Sequence, residues 1–407
     1  MATPSINTTS APFSIHPLLS HILSFMIPLM YLFCTGSLFF DIFHHMLHRC
    51  TKSSPPLFQG LARIHRFHHL YYNRHMKFDK KYLRQNTFQA LPLELGLQIL
   101  GSSLGYLAVL VMSKDQTWIT QSHLRCLIGI QISKTIVVIL TSGHDSNHLT
   151  YQTAPKDPNW IFVGPEFHSL HHVYPDRYIG SFVKLFDWIW GTAYSFRDKQ
   201  FVITGANGAF GQAIVAELIR EGVQKIHKLE FGTDWDHNDF GKVLPTLSVC
   251  DILVLAHGSK GNDAVASNCD SSVRLVQLFK QHKRIKHNSI LREVWYIGSE
   301  IEFHPPWGNV ELQRYSNSKR KFLPHARTLF DDPAILYRHI VPSSFHSSMG
   351  WAIFSGRWAA KCTMWWIRRG ARYIPVTYTG IAYLNYFKFM YWVPYAEDRQ
   401  GDRETGS

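Results

Sequence analysis

The sequence predicts a membrane-embedded helical first half followed by an α/β second half built on a parallel sheet. Three observations carry this expectation. Leu18 to Phe40 is an almost unbroken apolar run, long enough for a bilayer crossing of about 20 residues. Two His-x-x-His-His runs, at 65–69 and 168–172, lie about a hundred residues apart. Phe201-Val-Ile-Thr204 is a short β-branched strand leading into glycines at 205, 208 and 211, with helical periodicity from Gln212 to Glu221.

At 407 residues the chain can bury two separate cores. A net charge of +13 fits nucleic acid or an anionic membrane surface. Lys and Arg are scattered between apolar stretches and no nucleic-acid module is present, so the membrane is the expected partner and nucleic acid is not. The six cysteines show no paired spacing and no Cys-x-x-Cys, which argues against a disulfide framework or a cysteine metal site and for a reducing compartment.

Residues 1–15 are polar and expected to be disordered. The apolar run after them reads as a retained anchor, because its neutral leader lacks basic residues and no small-residue cleavage pattern follows. A second candidate span, Phe88 to Met112, is interrupted by Glu94 and Gln98, and a third, Leu124 to Leu140, by Lys134. Charges are costly in lipid, so buried helices of a soluble bundle are the alternative for these two.

Histidines cluster at the ends of these stretches. On a helix, His65, His68 and His69 share one face by their i, i+3, i+4 spacing, as do His168, His171 and His172. His44 and His48 lie four apart with His45 beside them, and Asp41 can accept a ring N–H to orient one of them. His144 and His148 end the third stretch, and His75 is a further ligand or a surface residue. Neutral imidazole suits iron, zinc, copper or nickel, and two triplets exceed what one structural zinc takes, so a two-metal site is predicted.

With the closing segments Tyr178-Ile-Gly180 and Phe186-Asp187-Trp-Ile-Trp-Gly191-Thr192, residues 25–197 resemble the fatty acid hydroxylase/sterol desaturase superfamily. The resemblance implies an integral membrane histidine-box domain holding two non-haem Fe ions for O2-dependent hydroxylation or desaturation. It further implies a lipid-like, terpenoid or polyketide-type substrate and an electron donor such as a cytochrome b5/reductase system. The implied location is the endoplasmic reticulum membrane, multi-pass, with active domains facing the cytoplasm. The family's first box usually reads His-Arg-x-x-His, but here His48-Arg49 places Lys52 at its second histidine, and His44 or His45 is the local substitute.

The glycine turn lets a backbone approach a pyrophosphate at a helix N-terminus, and alone it does not define a fold. Strands are expected at Ile226 to Phe231, from Asp251, and at Glu293 to Gly298, with Ser299 ending the last and Tyr315-x-x-x-Lys319 after it. In this order the residues resemble the short-chain dehydrogenase/reductase family, and the whole chain resembles bifunctional sterol desaturase/short-chain dehydrogenase proteins. That implies catalytic Ser299, Tyr315 and Lys319, and NAD or NADP held by Thr204, Gly205, Asn207, Gly208, Gly211, Glu230 and Lys319. A tyrosine lowered in pKa by a lysine one turn away can serve as acid or base, and the serine holds the substrate oxygen. Departures are Leu255-Ala256-His257-Gly258 in place of Asn-Asn-Ala-Gly, and one shortened βα unit before Asp251.

The expected layout is a membrane domain over 16–198, a Rossmann-type domain over 199–350, an aromatic and basic membrane-surface or cap segment over 351–396, and a polar tail over 397–407. Together these describe a bifunctional membrane oxidoreductase. The rivals are a wax-type aldehyde-to-alkane enzyme and a non-catalytic membrane scaffold.

Overall fold

The computed structural model describes residues 17–73, 76–113, 118–149, 157, 161–281, 291–304, 308–347 and 350–396. The leader 1–15, His75 and the tail 397–407 lie outside the described residues. The chain divides into two units, Met1–Phe186 and Asp187–Ser407, so the contact boundary falls ahead of residue 198.

In the first unit, three helical stretches are long and apolar enough to cross a membrane: Leu19–His48, Lys80–Met112 and Gln121–Leu140. Their outer faces are apolar, with Ile27, Val111 and Leu140 exposed, as befits surface that meets lipid. Small residues let the first two stretches touch. A Cβ at Gly101 would lie 2.4 Å from that of Phe39, and one at Gly105 would lie 2.4 Å from Thr35 Oγ1. Beside them Ser102 donates to the Leu32 carbonyl and accepts from Gln131 Nε2, so the helices are joined by packing and by buried polar bonds. The helices Pro56–Tyr71 and Pro165–Val173 each begin with proline at a position where its missing N–H costs nothing. They carry the two His-x-x-His-His runs.

The second unit is a parallel six-stranded sheet in the order β2-β1-β3-β4-β5-β6. Its strands are β1 Gln200–Thr204, β2 Lys225–Leu229, β3 Ile252–Leu255, β4 Arg292–Ile297, β5 Ile335–Pro342 and β6 Tyr373–Val376. β3 is buried at every position while edge strand β2 is half-exposed, which is why β3 reads as a pure apolar run and β2 does not. Apolar side chains fill both faces of the sheet. Between β2 and β3 lies only the six-residue helix Leu244–Val249 besides a single 3-10 turn. Residues 351–396, expected as a cap or membrane-surface segment, are integral to this unit: they supply the helix Gly356–Arg368, edge strand β6 and the helix Ile381–Tyr391.

Beneath the sheet's centre Glu293 is fully enclosed. It accepts from Lys199 Nζ at 2.7 Å, Tyr194 OH at 2.6 Å and Arg338 Nε at 3.2 Å. Despite its burial, the adjacent Lys199 and Arg338 cations hold its carboxyl down at about 2.

Candidate metal centre and nucleotide cleft

The first unit gathers nine histidines into two groups. His44, His48, His65, His69 and His171 form one, and His68, His148, His168 and His172 the other, with potential ligand atoms in each group all within 4.8 Å of one another. Helical spacing builds them, since each His-x-x-His-His run contributes to both groups from one face. His48 Nε2 lies 3.1, 3.0 and 3.1 Å from the Nε2 atoms of His44, His65 and His69. In the second group His148 Nε2 lies 3.3 Å from that of His68 and 3.0 Å from that of His168.

Four of the opposite ring nitrogens are tied outward. His44 Nδ1 donates to the Ile179 carbonyl at 3.0 Å, His171 Nδ1 to Arg177 O at 2.9 Å and His172 Nδ1 to Tyr72 O at 2.8 Å. A carbonyl oxygen can only accept, so each of these rings carries its proton on Nδ1 and points an Nε2 lone pair inward. His148 Nδ1 is held by Asp145 Oδ2 at 2.8 Å. The Glu94 carboxylate stands 3.2 Å from His68 Nδ1 and 3.7 Å from His65 Nδ1, touching one member of each group. Burial and the neighbouring imidazoles hold His68, His69, His168 and His172 well below the ordinary imidazole value, and burial pushes His171 down to about 3. These five imidazoles are therefore neutral and ready to ligate.

Two metal ions fit this donor set. The Nε2 atoms of His171 and His172 are buried without a hydrogen-bond partner, a costly arrangement that a bound cation relieves. Nitrogen-only donors in groups of five and four suit a borderline transition metal rather than Mg²⁺ or Ca²⁺.

Of the eleven histidines picked out in the sequence, His45 and His144 join neither group. His45 is turned about 100° round its helix from His44. His144 fails because the helix ends at Leu140: Ser142 and Gly143 adopt positive φ, and the i, i+4 argument no longer applies. Its Nδ1 bonds the Thr141 carbonyl and its ring lies against Phe78. Asp41 accepts from the Ser181 backbone N–H at 2.9 Å. Tyr72 was not singled out as a site residue, yet it stacks on His148 at 3.7 Å and donates to Gly143 O, fixing the turn that delivers His148.

In the second unit the glycine turn has the packing that its sequence requires. A Cβ at Gly205 would lie 2.5 Å from His257 N, and one at Gly211 would lie 2.1 Å from Gly205 O. At Gly208 the nearest atom is Gly205 O at 3.4 Å, which leaves room before the helix Ala209–Arg220 for a phosphate. A dinucleotide fits this turn. Asn207 Nδ2 donates to Glu230 Oε1 at 2.9 Å beside it. Thr204 departs from its expected role, because its fully buried hydroxyl is committed to Val254 O and to His257 Nδ1 at 2.6 Å.

Ser299, Tyr315 and Lys319 come together in the same unit, where Ser299 and Tyr315 line a cleft of about 410 Å³. The buried Lys319 Nζ donates to the Ile297 carbonyl at 2.7 Å. Tyr315 is not lowered in pKa by Lys319. Burial and the Glu302 carboxylate push it up to about 12, while burial lowers Lys319 to about 8. Glu302 is enclosed, accepts from Ser299 N at 3.2 Å and is bound to His339 Nε2 at 2.8 Å. The Ser299-x-x-Glu302 capping box was the sequence signal for it. Asn268, which carried no sequence signal, binds Ser259 O at 2.7 Å and Ser318 Oγ at 2.8 Å, pinning the loop after β3 to the helix of Tyr315.

No family model matches the chain. It is 26% identical over 278 residues to a monoglucosyldiacylglycerol epimerase from Synechocystis sp., a match covering 61% of this chain and 66% of that protein, just under two thirds of its length. Among solved structures, the chain is similar to a short-chain dehydrogenase from Burkholderia cenocepacia in complex with NADP, with TM-score 0.39 and 11% identity over 48% of this chain and 94% of that one. It is also similar to a short-chain dehydrogenase from Sphingobium yanoikuyae in complex with NADPH, with TM-score 0.38 and 15% identity over 47% and 92%.

Proposed function

We propose that the chain is a bifunctional membrane oxidoreductase acting on a lipid-like substrate, with an oxygen-dependent metal centre in its first unit and a nicotinamide-dependent alcohol/carbonyl site in its second. One observation carries this reading: nine imidazoles in two groups, with those whose tautomer is set by a carbonyl aiming Nε2 inward. His44, His48, His65, His69 and His171 would hold one non-haem iron and His68, His148, His168 and His172 the other, and the pair would supply O2-dependent chemistry at an unactivated C–H bond. The protein's part is to keep the ligands oriented, with Glu94 and Asp145 placing negative charge behind His68 and His148.

In the second unit, a dinucleotide on the Gly205–Gly211 turn supplies or accepts hydride. Tyr315, protonated at neutral pH, hands its proton to a carbonyl oxygen held by Ser299, which favours the reductive direction there. A cytochrome b5-type electron donor and an endoplasmic reticulum location belong to this reading.

The test is metal analysis of the purified full chain together with lipid mass spectrometry of cells with and without it. About two irons per chain and an oxygenated product of unchanged carbon count are expected. Loss of one carbon would instead support aldehyde-to-alkane chemistry, and absence of iron a scaffold.

The similarity to the epimerase favours a second reading, inversion of one carbinol in a membrane glycolipid. A carbinol that loses hydride to a bound nicotinamide and regains it on its opposite face would change configuration without net redox. Turnover that consumes neither O2 nor reduced nicotinamide would select this reading.

A further inference from the structure

The second unit exposes a large apolar face that its own fold does not cover. In the helix Ile381–Tyr391, Ala382, Asn385 and Phe389 pack inward at spacings of three and four, which leaves the rest of the surface pointing out. That outer surface is not polar: Leu384 is 65% exposed and Phe387 59%, with Tyr391 at 77% and Trp392 at 75% just beyond. Trp351 and Ile353 are exposed as well. The Phe354 ring lies 5.0 Å from that of Tyr378, three residues ahead of the helix. Trp351, Tyr378 and Ile381 also line the cleft that holds Ser299 and Tyr315, so the cleft opens within this face.

Residues 351–396 contain no Asp or Glu, whereas Arg357, Lys361 and Lys388 are among the basic residues they carry. Aromatic rings, aliphatic side chains and cations without a carboxylate match the headgroup boundary of an anionic bilayer, where Trp and Tyr sit at headgroup level and cations meet lipid phosphate. A membrane is also within reach of this unit, because the same chain carries three helices long and apolar enough to span one.

We propose that the face formed by the helix Ile381–Tyr391 and residues Trp351–Phe354 lies in the interfacial layer of an anionic membrane, so that the Ser299–Tyr315 cleft opens onto lipid. The docking stands on this face alone. Entry of a lipid substrate through the cleft rests on the oxidoreductase reading above.

The experiment uses the full chain reconstituted into vesicles of phosphatidylcholine and phosphatidylglycerol, with a nitroxide attached at Leu384→Cys or Trp392→Cys. Lys225→Cys on β2, at the opposite edge of the sheet, is the control. The signal from labelled native cysteines is subtracted using the unsubstituted chain. Both target side chains are largely exposed, so these substitutions remove no core contact. Collision rates with O2, which concentrates in lipid, and with a water-soluble nickel chelate are compared. Labels at 384 and 392 are expected to favour O2 over nickel several-fold relative to the label at 225. Equal, water-like accessibility at all three positions overturns the proposal. So does a 384 label shielded from both reagents and broadened by a second spin, which assigns the face to contact between copies of the chain. The measurement needs no turnover, so it remains decisive if the catalytic reading fails.

Discussion

Replacing Glu94 by Gln tests the metal centre without touching a ligand. The substitution keeps the shape of the side chain and removes a carboxylate that approaches a member of each histidine group, at 3.2 Å from His68 Nδ1 and 3.7 Å from His65 Nδ1. A carboxylate behind a ligating imidazole orients the ring and raises its donor strength, and losing such a partner typically lowers metal affinity about 10- to 100-fold. At about 1.4 kcal/mol per factor of ten, that is roughly 1.4–2.8 kcal/mol. Because Glu94 touches both groups, both sites should weaken together. The assay is a competitive iron titration of the full chain in detergent, read beside His68→Ala, which deletes a ligand outright. Helix content by circular dichroism should stay unchanged, since Gln keeps the shape and the helix propensity of Glu94 within its helix. Native-like iron affinity in Glu94→Gln would refute the reasoning, because the carboxylate would then be an incidental charge in an apolar helix.

Other outcomes follow from the same geometry. His44→Ala should lose iron, whereas Lys52→Ala and His45→Ala should keep it, because only His44 belongs to a histidine group; elemental analysis of the three variants decides. Tyr315→Phe removes the proton-carrying hydroxyl and keeps the ring, so nicotinamide-coupled turnover should fall by orders of magnitude with iron content unchanged, and lipid profiling should find the intermediate that the second site normally consumes. Glu293→Gln leaves Lys199 and Arg338 without their counter-charge in the core, which should cost about 3–5 kcal/mol in denaturant unfolding. The native Glu293 carboxyl lies at about 2 against an ordinary 4.5, so its stabilisation is complete above 4.5 and disappears as pH falls through 2. Acid unfolding of the Gln variant should lack that component, and an identical acid profile would count against it.

Periodicity and spacing are local properties, and they were enough to read the apolar spans, the two His-x-x-His-His faces, the glycine turn and the Tyr315/Lys319 pair from the chain alone. What could not be read depends on residues far apart in sequence. Glu94 interrupts an apolar run when taken by itself; only the approach of its helix to the one bearing His65 and His68 turns it into a partner for both. The choice between His44 and His45 is likewise invisible locally, because both sit on one helix and the selecting contact is the Ile179 carbonyl, 135 positions away. Residues 351–396 look like a peripheral aromatic segment because their strand, β6, is only four residues long and joins the sheet through β5. The elevated pKa of Tyr315 also needed the fold, since spacing places Lys319 one turn away but does not reveal Glu302 behind the serine. The sequence by itself determined which residues can bind metal or move a proton, through side-chain chemistry and the repeat of the backbone. Tertiary structure alone decided which of them meet and at what charge, because convergence and burial are set by contacts between elements that no local pattern records.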